Sequence, residues 1–263
     1  MNEHPHLRAV TGGAASPVTP AASAFPSVSA FPSVSAAPVE APGTAPGTAP
    51  GMAPGLSAQH RPSAHLPWQR PHWTRRDDLL DGVARWGVMH TRYGEFRLQP
   101  VRLPRDLPLL VDWMNDPVVS AFWELCGPAE LTEQHVRAQL DGDGRSVPCL
   151  GLVDGTPMSY WEVYRADLDP LARHYPARPH DTGLHLLVGP AAHRGRGVGS
   201  SLLGTLTRRI LRERQAARRV VAEPDVRNLP SVRAFLRAGY RFDSELPLPE
   251  KQAALMVFDR PQP

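Results

Sequence analysis

Cysteine is scarce in this sequence. Cys126 and Cys149 are the only two among 263 residues, and no CxxC pair occurs. Two thiols do not build a disulfide framework, so reduced thiols are expected rather than a redox or metal site. Long apolar runs are missing as well. The stretch 14–62, rich in Ala, Pro, Ser, Gly, Thr and Val, is interrupted by proline throughout, which excludes a membrane-spanning helix there. The chain also lacks the positive start and continuous apolar segment of a secretory signal. There is no GxGxxG, no GxxxxGK[ST], no RNP or zinc-finger pattern and no clear helix-turn-helix. These absences predict a cytoplasmic protein with no membrane span, no nucleic-acid partner and no metal. Net charge is only +3, with a pI near 9.2, a mild basicity that suits an anionic ligand.

What is present divides unevenly. The repeats "SAFPSV" and "APGT" fall in a proline-rich N-terminal stretch with too few large apolar residues to offset the entropy of ordering. Residues 1–66 are therefore read as a disordered arm. In residues 67–93, Leu79, Leu80, Val83 and Trp86 have helical spacing, which predicts a helical lead-in. Residues 94–263 are read as one folded domain. Within it, "GEFRLQPV" alternates as a strand does, and "RDLPLLVDWMND" reads as a helix stopped by Pro117. "LTEQHVRAQL" offers Thr132 as a helix N-cap. Two apolar runs flank Asp154-Gly155, a hairpin signal. From "GLHLLVG" onward the order is strand, glycine loop, helix, strand, helix and two strands, a mixed α/β arrangement.

The loop "HRGRGVGS", 193–200, stands between a strand and a helix. Helix N-termini present unpaired N–H groups, and glycines let the backbone come close to an anion, so the loop reads as a phosphate cradle. The spacing Arg194-x-x-Gly197-x-Gly199, together with the downstream "NLPSVRAFLRAGYRF", resembles the GNAT acetyltransferases. The resemblance implies an α/β GNAT fold. Its central sheet would be mixed, mostly antiparallel and twisted, flanked by helices, with an acyl-coenzyme A cleft between two splayed parallel strands. It also implies acyl-coenzyme A, acetyl or longer, as co-substrate. Cofactor contacts would fall at Leu187, Val188, Arg194, Gly195, Arg196, Gly197, Val198, Gly199, Ser200 and Asn228. The series "YWEVY", "DTGLHLLVGP", "RVVAEPDVRN" and "LPEKQAALM" is similar to the siderophore-biosynthesis branch, with its mycobactin- and aerobactin-type lysine acyltransferases. That branch acylates the terminal amine or hydroxylamine of lysine-like chains. The donor would be coenzyme A or an acyl-carrier protein, and the chain a monomer or homodimer.

The same resemblance implies His185 as base and Asp225 as its orienting partner. From the residues alone, a histidine in an apolar strand equally well makes a structural hydrogen bond, and Asp225 caps or turns. Alternation places Tyr160, Glu162 and Tyr164 on one sheet face and Trp161 on the other. Trp123, Trp161 and Glu162 are candidates for the acceptor pocket, against core packing or an exposed edge. Lys251 would meet a substrate carboxylate or remain solvated. Phe235 stands where many GNAT enzymes carry a tyrosine acid and cannot donate a proton, so the thiolate would leave without one, stabilised by backbone amides. The rival readings are an aminoglycoside N-acetyltransferase and a non-catalytic acyl-coenzyme A-binding module.

Overall fold

The computed structural model describes Leu80 and residues 82–262. The arm read at 1–66 and most of the segment 67–93 lie outside the described residues. Strand β1 (Met89–Thr91) turns into β2 (Gly94–Pro100), and three helices follow: α1 (Leu103–Met114), α2 (Pro117–Trp123) and α3 (Ala129–Leu140). A hairpin of β3 (Ser146–Val153) and β4 (Thr156–Arg165) leads to β5 (Thr182–Val188). The chain continues through α4 (Val198–Glu213), β6 (Arg219–Ala222), α5 (Leu229–Ala238), β7 (Arg241–Pro247) and β8 (Gln252–Asp259).

The eight strands form one sheet in the order β1-β2-β3-β4-β5-β6-β8-β7. Every neighbouring pair is antiparallel except β5 and β6. Those two share only the pairs Thr182–Val220 and Gly183–Val221. Past Gly183 they carry no common ladder, and the sheet opens at its centre.

Strand alternation sorts the side chains into two cores. On one face Leu202, Leu203, Leu206 and Ile210 of α4 pack with Phe96, Trp161 and Leu184. On the other, Leu110, Trp113 and Met114 of α1 and Val136 of α3 pack with Leu150, Tyr160 and Leu187. The catalytic candidates of β4 and β5 share this second face.

Three local expectations are corrected. The apolar spacing at 80–86 does bury Leu80, Val83 and Trp86, but the described residues there form only a 3-10 turn, Val83–Arg85, before β1. Pro117 does not simply stop a helix. It opens α2, whose N-cap Asp116 accepts from the Val118 amide at 2.9 Å, because proline costs nothing in the first turn. Thr132 is not a cap: α3 starts at Ala129, and Thr132 is buried inside it.

Gly183 illustrates how tightly the second face is built. A Cβ there would enter the ring of Tyr164, which lies across the strand. Gly183→Ala is expected to destabilise the fold by about 1–3 kcal/mol, the usual cost of overpacking, read as a lower denaturation midpoint. An unchanged midpoint would show that Tyr164 is free to move aside.

Candidate active site

Glu162 and His185 are direct cross-strand partners on β4 and β5. The Glu162 carboxylate is 5% exposed and has lost its water. Its Oε2 accepts from His185 Nδ1 at 2.8 Å. Its Oε1 meets His135 Nε2 at 2.5 Å and Gln139 Nε2 at 2.6 Å, both from α3, and accepts from the Tyr160 hydroxyl at 3.0 Å. Ser146 Oγ in turn donates to Gln139 Oε1 at 2.7 Å and fixes that amide.

The other ring nitrogen of His185, Nε2, is bound to Glu223 just beyond the end of β6. Glu223 also accepts from the Tyr164 hydroxyl at 2.7 Å and has Lys251 Nζ at 3.9 Å. His185 thus sits between two buried carboxylates at the point where β5 and β6 part. Burial opposes a charged ring, but Glu223 and Glu162 outweigh it and raise the His185 pKa to about 10. Burial likewise opposes the charge of Glu223, and His185, Lys251 and the Tyr164 hydroxyl overcome it and lower that pKa. Glu162 is held well below the carboxylate range against burial, by His135 and His185. At neutral pH the centre is an imidazolium between two carboxylates.

This differs from what was expected of four residues. Both ring nitrogens of His185 are hydrogen-bonded to carboxylates, so neither is free for the base role expected of it. Asp225 does not reach it. Its carboxylate is taken by Arg227, through the backbone amide at 2.7 Å and the guanidinium at 2.6 Å. The short Asp225-x-Arg227 turn satisfies it locally. The carboxylates at His185 are Glu162, expected only at the acceptor pocket, and Glu223, which was not expected. Trp161 lies on the opposite sheet face, fully buried against Phe96, with its Nε1 donating to Ser159 Oγ at 2.7 Å. It is a core residue and does not line the cleft.

The cleft around this centre is walled by Phe122 and Trp123 from α2, Asn228 and Phe235 from α5 and its cap, and Lys251. Trp123 stands edge-on to His185, with ring centroids 6.2 Å apart. Asn228 caps α5, its Oδ1 accepting from the Ser231 amide at 3.1 Å. His135, Gln139 and Glu223 escaped the sequence reading. Only Glu223 left a trace there, two residues before Asp225 at the end of an apolar strand.

The glycine loop sits at the other end of β5. Gly197 is the N-cap of α4 with φ 81°, a conformation costly for any residue with a Cβ. A Cβ there would also stand 2.5 Å from Arg92 Nη2. Tyr93 donates from its hydroxyl to the Arg196 carbonyl at 2.5 Å. Arg194 folds back: Nε donates to the Val188 carbonyl at 2.8 Å, Nη2 to that of Gly189, and Nη1 to Asp116 at 2.8 Å. Its guanidinium pins the loop to β5 and α2, and the Arg196 side chain is exposed. The Leu187 side chain is buried in the second core. Bare backbone at a helix start is what an anionic phosphate requires, so the loop fits acyl-coenzyme A.

Among the described residues no helix is long and apolar enough to cross a membrane. The family described as acetyltransferase (GNAT) domain matches residues 102–248. A lysine N-acyltransferase, MbtK, from Mycolicibacterium paratuberculosis is 34% identical over 188 residues, covering 71% of this chain and 84% of that protein. An N(6)-hydroxylysine O-acetyltransferase from Escherichia coli is 37% identical over 148 residues, 56% of this chain and 47% of that one. The crystal structure of an uncharacterized Bacillus halodurans protein matches with a TM-score of 0.62 and 30% identity, covering 66% of this chain and 89% of its own.

Because the folded-state pKa of His185 lies above the ordinary 6.5, its contribution to stability is complete below about pH 6.5 and is lost as pH rises toward about 10. Ring-nitrogen NMR is expected to find His185 doubly protonated at pH 8, and to find its midpoint lowered in Glu223→Gln. A midpoint near 6.5 in the unaltered chain would contradict the bracketing by two carboxylates.

Proposed function

This chain belongs to the GNAT acetyltransferase family, and from that premise we propose that it acylates the terminal amine or hydroxylamine of lysine, or of a lysine-like diamine, in siderophore biosynthesis. The donor is an acyl-coenzyme A, with an acyl-carrier protein as its alternative form. The observation that carries the reading is the Glu162–His185–Glu223 centre at the parting of β5 and β6, facing a cleft closed by Trp123. The names of the relatives, which act on lysine and hydroxylysine, support the acceptor class.

The chemistry follows from the proton inventory. The acceptor nitrogen attacks the thioester carbonyl, a C–N bond forms, the C–S bond breaks, and one proton must leave the nitrogen while the sulfur gains one. Phe235 lines the cleft and donates nothing. The His185 imidazolium supplies the missing acid from Nε2, and Glu223 beside it receives the proton from nitrogen. Glu162 keeps Nδ1–H committed and so holds the ring in register. The α4 amides, Gly195, Arg196, Gly197 and Ser200 hold the donor phosphates, and Asn228 borders the path of its pantetheine arm. A lysine ammonium, pKa ~10.4, must shed an additional proton before attack, whereas a hydroxylamine arrives neutral.

A thiol-release assay on the full chain tests this. Acetyl-, succinyl- and long-chain acyl-coenzyme A are crossed with lysine, N6-hydroxylysine, N5-hydroxyornithine and hydroxycadaverine, with kanamycin as counter-substrate. Turnover on a lysine-like acceptor is expected, reduced about 100- to 10,000-fold in His185→Ala. Turnover on kanamycin alone, or full activity in His185→Ala, would overturn the reading.

A further inference from the structure

One buried carboxylate serves two imidazoles. Glu162 Oε2 holds His185, which faces the cleft and Glu223, while Oε1 holds His135, which comes from α3 on the acceptor side. His135 is one-third exposed and can exchange its proton with solvent. Nothing else about α3 requires a histidine here, since Val136 supplies its core contact and Gln139 already provides a neutral donor to the same oxygen. A second titratable ring on a shared carboxylate does what a neutral donor does not: it changes the charge that the first ring feels.

We infer that His135 is a positioning residue that sets the proton affinity of His185 through their shared partner, Glu162. A protonated His135 draws on the Glu162 charge and loosens the hold on His185 Nδ1–H, which makes the imidazolium a stronger acid. A neutral His135 leaves Glu162 wholly to His185, and the proton is held more tightly. The charges felt by this pair come from every element around it. Gln139 of α3 and Tyr160 of β4 face Glu162. Glu223, with Tyr164 and Lys251, faces His185 from the far side. Asp169, in the turn after β4, interacts with both Glu223 and His185. Burial opposes the charge on His135, Glu162 favours it more strongly, and the neighbouring His185 cation opposes it, as competition for one carboxylate requires. The consequence for catalysis rests on the acid role of His185 given above; the coupling itself does not.

Ring-nitrogen NMR titration of the full chain provides the test. His135→Gln keeps a neutral donor near Glu162 and removes the charge. The His185 midpoint is expected to rise by about one pH unit, the scale at which two sites count as coupled. In His185→Gln the His135 midpoint is expected to rise equally, because coupling between two binding equilibria is reciprocal. For turnover, His135→Gln is expected to lower kcat by up to about tenfold, with KM for the acyl donor unchanged, since one pKa unit corresponds to a factor of ten. A purely structural role would be rescued by Gln. An unmoved His185 midpoint in a His135→Gln protein of unaltered melting temperature overturns the inference, and leaves the acyl-transfer reading in place. Reciprocal shifts without thiol release on any acceptor would sustain the coupling and overturn the acyl-transfer reading instead.

Discussion

Much of this molecule depends on how one buried carboxylate is satisfied. Glu162 carries its charge inside the sheet, and a charge without water must be met by donors on all sides. Four side chains do so: His185 from β5, Tyr160 from its own strand, and His135 and Gln139 from α3. Losing one without a substitute donor leaves part of the buried charge unmet. The carboxylate therefore joins α3 to the central strands. It also dictates which nitrogen of His185 is committed and which one faces the cleft.

The second constraint is topological. β5 and β6 are the one parallel pair, joined through α4, and they remain together for only two residue pairs. The parting leaves room for an extended ligand and brings Glu223, just past β6, opposite His185. The loop at the start of α4 is kept in place by Arg194, whose three contacts reach β5 and the N-cap of α2. Since α2 carries Trp123, one arginine ties the glycine loop to the helix that walls the cleft. The arginine that looked in the motif like a phosphate ligand works here chiefly on the protein itself.

Much of the fold was legible because it is written in local patterns. The Asp154-Gly155 hairpin and the 197–213 glycine-to-helix transition each depend on residues within a few positions of one another. Alternation along "SYWEVYR" correctly set Glu162 with the tyrosines and Trp161 apart, although Trp161 was still taken as a pocket candidate and is a core residue. Thr132 was misread as a cap because α3 begins earlier, at Ala129, and Pro117 was read only as a stop although it also opens α2.

The sequence by itself determined most of the strands and helices, the Asp154-Gly155 hairpin, the phosphate-type loop, and the face that Glu162 shares with Tyr160 and Tyr164, while the mostly antiparallel sheet was implied by the family resemblance. Periodicity, turn chemistry and helix capping act between near neighbours, and near neighbours are visible in a string of letters. The tertiary structure alone decided who partners whom at the centre. Asp225 is claimed by Arg227 two residues away, Glu162 and Glu223 converge on His185, and His135 joins the centre through Glu162. No spacing in the sequence encodes that convergence. It arises because strands 23 and 38 residues apart are brought side by side, and burial then makes every carboxylate find a donor.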